Sequence, residues 1–243
     1  MQKLYLIVLF TLLKFNCLAQ VNTTLFGFCY RPIFQSKFLR TEPKDYTNNT
    51  TSFNLSQNSG YTTGALVRKG ITKRLSFETG ILYTKRNYEF TITDSAYLGN
   101  GDFSIVSYEI PVNALVFIQL DKQLWMNVAL GGSLDVFPSD IFTYKDFFLN
   151  YAARKSKINT GVIANIGFEY RTKKSGIIYL GTSYHRSINT IYNSLIEYYP
   201  TNDYKLLPKS TGKTSLQGDY LTFDVRYYFH EDPEKKKSRK KKK

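Results

Sequence analysis

From residue 23 onward the chain alternates apolar and polar positions with a period of two, in eight segments near 23–34, 60–69, 74–88, 103–119, 123–137, 156–171, 176–189 and 214–229. The last is the clearest. Leu221, Phe223, Val225, Tyr227 and Phe229 form one face, and Tyr220, Thr222, Asp224, Arg226 and Tyr228 form the other. In 123–137, Leu124, Met126, Val128, Leu130 and Leu134 oppose Asn127, Ala129, Gly131, Ser133 and Asp135. In 156–171, Val162, Ala164, Ile166 and Phe168 oppose Gly161, Asn165, Gly167 and Glu169. In 103–119, Ile110, Val112, Ala114 and Val116 oppose Glu109 and Asn113. Successive side chains of a strand point to opposite sides, so this period predicts strands and excludes amphipathic helices, whose apolar positions recur every three or four residues.

Short turns near Gly70–Lys73, Leu120–Lys122 and Thr172–Ser175 alternate with long links at 35–59, 89–102, 138–155 and 190–213. That rhythm puts antiparallel neighbours side by side with every short turn at one end. It predicts an all-β fold, an eight-stranded antiparallel up-and-down transmembrane β-barrel of the outer-membrane type. A soluble lipocalin-like barrel shares the period, so the polar face has to decide. It carries Gly27, Gly64, Gly80, Gly131, Gly167 and Gly181, small residues that a crowded eight-stranded interior needs and a solvated face does not. Its cations are Arg31, Arg68, Arg86, Arg171 and Arg226, and its acids include Glu78, Glu109, Asp135, Glu169 and Asp224. The guanidinium fork suits buried bidentate pairing, whereas lysine dominates solvated surfaces. The polar face is therefore expected to line the lumen as an ion-pair network of Arg31, Arg68, Glu78, Glu109, Asp135, Glu169, Arg171, Asp224 and Arg226. The apolar face is expected to meet outer-membrane lipid. Pro111 lacks a donor in a barrel with no edge, which predicts a bulge or one broken ladder bond.

The ends of the chain read differently. Lys3, the apolar run Leu4–Leu13 and the small Ala19 make residues 1–19 a secretory signal peptide, with the barrel over 20–229. Residues 230–243 form a Lys-rich tail whose charge sits on Lys235, Lys236, Lys237, Arg239, Lys240, Lys241, Lys242 and Lys243. Such a block repels itself and is expected to be disordered, hanging in the periplasm. Of the net charge of +14, the signal peptide supplies +2 and the tail +5. With half the basicity in the two ends, and export carrying the chain away from nucleic acid, a nucleic-acid partner is not expected. After cleavage one thiol remains, Cys29, which reads as a small buried residue.

The segments Leu75-Ser76-Phe77-Glu78-Thr79-Gly80-Ile81-Leu82-Tyr83, Tyr108-Glu109-Ile110-Pro111-Val112, Gly167-Phe168-Glu169-Tyr170-Arg171 and Tyr227-Tyr228-Phe229 resemble the PorT-like outer-membrane β-barrel family of Bacteroidota over most of residues 21–229. The resemblance implies an eight-stranded barrel with both ends in the periplasm. It also implies, as an alternative, a place in a type IX-like protein-secretion machine, the setting of the family's founding member. The tail beyond Phe229 departs from the family pattern.

Little in the chain points to catalysis. Only two histidines occur, His185 and His230; His185 shares a strand face with Ser183, which raises the picture of a barrel hydrolase. There is no Cys/His spacing for a metal and no strand–glycine loop–helix for phosphate, so no cofactor is expected. Eight strands enclose only enough room for side chains, which argues against a channel. The long links, with Lys37, Arg40 and Lys44 in the first and Tyr192, Tyr198, Tyr199, Tyr204, Lys205 and Lys209 in the last, have a composition suited to protein or glycan contacts. The reading is a small non-enzymatic outer-membrane barrel with a filled lumen. Its role is structural, or partner binding through its extracellular loops and basic tail, with periplasmic or outer-membrane proteins or peptidoglycan as partners. The alternatives are an accessory component of a secretion machine, an outer-leaflet lipid-modifying enzyme and a soluble exported lipocalin-like binder.

Overall fold

The computed structural model describes residues 23–34, 44–48, 50–95, 97–145, 147–173, 175–199 and 207–229. The expected signal peptide 1–19, Lys37 and Arg40 of the first link, Tyr204 and Lys205 of the last, and the Lys-rich tail 230–243 with His230 lie outside them.

The described residues form thirteen strands. They are β1 (Thr24–Phe34), β2 (Lys44–Asn48), β3 (Thr51–Gly70), β4 (Leu75–Asp94), β5 (Tyr97–Gln119), β6 (Leu124–Val136), β7 (Ile141–Lys145), β8 (Phe148–Arg154), β9 (Ile158–Arg171), β10 (Ile177–Ser187), β11 (Thr190–Tyr198), β12 (Ser210–Gln217) and β13 (Tyr220–Tyr228). Eight of these, in the order β1-β13-β10-β9-β6-β5-β4-β3, pair antiparallel, and β3 pairs back onto β1 to close the ring. Closure pairs every edge, which leaves the ring no open ladder. The Phe229 N–H donates to the Phe26 carbonyl at 2.8 Å, so the first and last strands meet at the short-turn end. Gly176, with φ of 95°, gives the 172–176 turn its left-handed step.

The outward positions are those expected from the alternation. On β13, Phe223, Val225 and Tyr227 are exposed while Thr222, Asp224 and Arg226 are buried. Similar exposed apolar residues run around the ring: Phe26 and Phe28, Ile81, Val112 and Val116, Val128 and Leu130, Ile166 and Phe168, and Leu180. A row of neighbouring tyrosines, Tyr30, Tyr61, Tyr83 and Tyr108, crosses β1, β3, β4 and β5 with ring centroids 6.0–6.1 Å apart. It marks the upper rim of this apolar band.

Above that row the structure departs from the expectation of long loops. β3, β4 and β5 run 20, 20 and 23 residues, about twice the 9–11 that cross a bilayer. The expected link 89–102 is their continuation, a hairpin of β4 and β5 paired out to Asp94 and Tyr97. The links 138–155 and 190–213 hold β7, β8, β11 and the start of β12, which form a separate four-stranded sheet. The expected eighth segment, 214–229, is two strands broken at Gly218-Asp219. The two upper sheets meet where the Asn48 side chain donates to the Thr211 carbonyl at 3.0 Å. They enclose one apolar core built from residues such as Phe53, Phe90, Ile105, Phe148, Tyr192 and Ile196. Tyr192, Tyr198 and Tyr199, expected as contact residues in a loop, are buried.

The reason lies in the phase of the alternation. On β4 the outward residues Phe77, Ile81 and Tyr83 are apolar below Arg86, and above it the inward residues Tyr88, Phe90 and Ile92 are apolar instead. β5 switches the same way, with inward Phe103 and Ile105 above and outward Tyr108, Ile110 and Val112 below. The strand runs on unbroken while the apolar face changes side, from the outside of the ring to the inside of a head. Pro111 is accommodated without a bulge: pairing with β4 lapses opposite Ile110 and Pro111 and resumes between Thr79 and Val112 in the same register.

Candidate functional site in the lumen

Inward side chains fill the ring in two polar layers. The lower one is an arginine–carboxylate lattice. Glu78 accepts hydrogen bonds from Arg68 Nε (3.0 Å) and Nη2 (2.9 Å), from Arg226 Nη1 (2.8 Å) and from the Tyr228 hydroxyl. Glu169 accepts from Arg68 Nη1, from Asn127 Nδ2 at 3.0 Å and from Arg171 Nη2 at 3.2 Å. Asp224 accepts from Arg226 Nη2, and from the Ser183 and Thr222 hydroxyls at 2.6 Å each. Arg31 Nε lies 3.4 Å from Asp224. The flat faces of the guanidinium groups rest on rings: Arg68 on Tyr228 (3.9 Å), Arg226 on Tyr179 (4.5 Å) and Arg171 on Trp125 (4.3 Å). Planar cations so stacked keep their edges free for the carboxylates.

The glycines make the space for this lattice. A Cβ on Gly167 or Gly181 would lie 2.3 Å and 2.0 Å from the Tyr179 hydroxyl oxygen, so the ring of Tyr179 occupies the room those residues leave. At the short-turn mouth, Arg68, Ser76, Phe117 and Arg171 border a recess of about 10 Å³, room for about one water.

The upper layer lies level with the tyrosine row and beneath the apolar head. Arg86 Nη2 donates to Ser107 Oγ at 2.8 Å and Nη1 to the Gly218 carbonyl at 3.3 Å. Glu109, for which the sequence predicted an arginine partner, instead accepts from the Tyr220 hydroxyl. Asp135 faces His185, with Nε2 3.1 Å from Oδ2. The same nitrogen is 2.9 Å from Ser133 Oγ, Nδ1 is 3.2 Å from the Gly218 carbonyl, and the ring stacks on Tyr220 at 4.6 Å. Glu109, Asp135 and His185 are each 1% exposed.

Of the nine network residues predicted, the structure brings Arg31, Arg68, Glu78, Glu169, Arg171, Asp224 and Arg226 into one connected group and puts Glu109 and Asp135 in the other layer. Sequence reasoning overlooked Tyr220 and Tyr228, although their alternation already placed them on the polar face. The hydrolase picture does not assemble. Ser183 donates to Asp224, not to His185. Ser133 and Asp135 share one imidazole nitrogen, so no serine–histidine–acid relay runs through the ring.

The sequence matches no protein-family profile and no curated protein. Among solved structures the chain is similar to the outer membrane protein OprG from Pseudomonas aeruginosa, at a TM-score of 0.53 and 9% identity over 87% of this chain and 98% of that one. At that identity the likeness speaks for the fold: an antiparallel β-barrel of the outer-membrane type.

Proposed function

We propose that the chain is a small non-enzymatic barrel of the outer membrane, with a filled lumen and a folded extracellular head that serves as its binding or structural surface. One observation carries this: the closed ring turns apolar side chains outward all around and buries arginines and carboxylates within. Water-soluble barrels have no use for such an inversion, whereas a bilayer demands it. Ring closure gives each strand a partner on both sides, the arrangement hydrocarbon requires of backbone. The PorT-like resemblance implies the same plan, with the short turns and both ends of the barrel on the periplasmic side. That orientation puts the head outside the cell and the Lys-rich tail within reach of periplasmic partners or peptidoglycan. The lattice below and the apolar core above close the lumen at two levels, so the protein acts by its surfaces and not by conduction.

Fractionation of cells expressing the full chain, followed by gels of heated and unheated membrane extracts, tests the placement. A folded barrel migrates differently from its boiled form and stays with the outer membrane. A folded protein that remains in solution without detergent would overturn the proposal. Planar-bilayer recordings test the closed lumen, and large steady conductance from the purified barrel would refute it.

A further inference from the structure

We propose that Glu109, Asp135 and His185 form a site for one divalent first-row transition ion of the zinc class, inside the lumen where the ring meets the head. One ligand atom from each residue lies within 4.8 Å of the others, and all three residues are buried. An imidazole nitrogen with two carboxylates is a donor set that zinc and its neighbours accept, and the two negative charges match the ion's.

Three further observations set this cluster apart from an ordinary buried ion pair. Buried Glu109 Oε1 receives no hydrogen bond, and the equally buried Asp135 Oδ2 has His185 Nε2 beside it at 3.1 Å. Buried carboxylate oxygens without donors are costly, and a cation between them removes the cost. His185 is held as a metal-binding imidazole is held. Its Nδ1 lies 3.2 Å from the Gly218 carbonyl, an acceptor for an Nδ1 proton, and that tautomer leaves Nε2, 3.1 Å from Asp135 Oδ2, free to ligate an ion set between them. Finally, the chain has cleared a path for it. His185 stands on β10 and Asp135 on β6, with β9 between them in the ring. A Cβ on Gly161 of β9 would come 2.5 Å from His185 Nε2 and 2.7 Å from Ser133 Oγ, so the imidazole reaches across β9 only because that residue is glycine.

One of the three spacings already suits a single ion. Bond lengths of about 2.0–2.2 Å to nitrogen and oxygen put tetrahedral ligand atoms about 3.4 Å apart. The 3.1 Å between His185 Nε2 and Asp135 Oδ2 is near that value, and the Glu109 side chain is long enough to close the remaining distance by rotation. The Nη donors of Arg86 go to Ser107 and Gly218, and its guanidinium lies 5.2 Å from the Tyr220 ring centre. An ion here would tie β5, β6 and β10 together across the lumen.

The test uses the full mature chain refolded into lipid vesicles, with Zn²⁺ either present during refolding or added afterwards, then passed over a chelating resin. Bound metal is counted by mass spectrometry, and Co²⁺ replaces Zn²⁺ to report coordination by its visible absorption. We expect one ion per chain in at least the first arm, and a thermal midpoint that rises with free Zn²⁺. Asp135→Asn and His185→Gln should each weaken binding at least about tenfold. Gly161→Ala keeps every ligand but displaces the imidazole, and should weaken binding as well. The heated-versus-unheated gel shift shows which variants fold. Less than a tenth of an ion per chain in both arms would overturn the proposal, as would equal binding by wild type and every folded variant.

Discussion

Glu78 is the carboxylate on which the lower lattice converges, and Glu78→Gln is the sharpest perturbation of it. The substitution keeps the size and one acceptor oxygen but removes the charge opposite Arg68 and Arg226, both 2% exposed. Four donors now meet Glu78, three from guanidinium groups and one from Tyr228. At about 1.5–3 kcal/mol for a hydrogen bond to a charged group, a full sum would reach about 6–12 kcal/mol. That sum overstates the loss, because Arg68 keeps Glu169 and Arg226 keeps Asp224. The layer starts with four arginines against three carboxylates, so losing one carboxylate strands positive charge that the lumen cannot solvate. The expected loss is about 3–5 kcal/mol, the range for breaking a buried pair from one side. Urea unfolding of the refolded barrel in lipid vesicles measures it, followed by the fluorescence of Trp125, the one tryptophan in the chain. With a urea slope of about 1–3 kcal/mol/M, the midpoint should fall by at least about 1 M. A change under about 1 kcal/mol, the size of an exposed pair, would refute the reasoning: the lattice would then be hydrated and not structural.

The outward face and the head give further outcomes. Val225→Arg should cost about 2–4 kcal/mol in the same assay if the residue lies near the bilayer midplane, whereas Glu89→Arg, outward on the head, should change stability by about 0.5 kcal/mol or less. Gly181→Val should disrupt folding, because even a Cβ there meets the Tyr179 hydroxyl oxygen at 2.0 Å and the Ile166 carbonyl oxygen at 2.5 Å; the heated-versus-unheated gel shift reads this directly. The Lys209 ammonium beside Asp94 holds its carboxyl below the usual 3.8, and the Asp94 carboxylate in turn raises Lys209 above 10.5. A depressed carboxylate stabilises above its unfolded value and a raised amine below its own, so the 207–217 segment should be best protected from amide exchange between about pH 4 and 10. Protection should fall as acid protonates Asp94 below that window, and a flat exchange profile down to pH 2 would disprove the link.

The alternation of the ring strands is a local property, legible one residue at a time. A slip of one residue would turn every side chain to the wrong side, so the pattern on β6, β9 and β13 already named the faces. The same pattern placed the arginines inside, since a guanidinium facing hydrocarbon is excluded by its desolvation. The head was not legible by that route. On β4 and β5 the apolar positions change parity near Arg86 and Val106, and a reading that follows one face sees the strand end there. Only the assembled sheets show why it continues: the apolar residues of β3, β4 and β5 have β8 and β11 to pack against, partners that lie far along the chain. The upper polar layer was hidden for a related reason. Glu109, Asp135 and His185 have no motif spacing, because ring closure and pairing register, together with the missing side chain of Gly161, bring them together. Which polar residues share a strand face is written in the chain; which strands face one another across the lumen is decided when the ring closes.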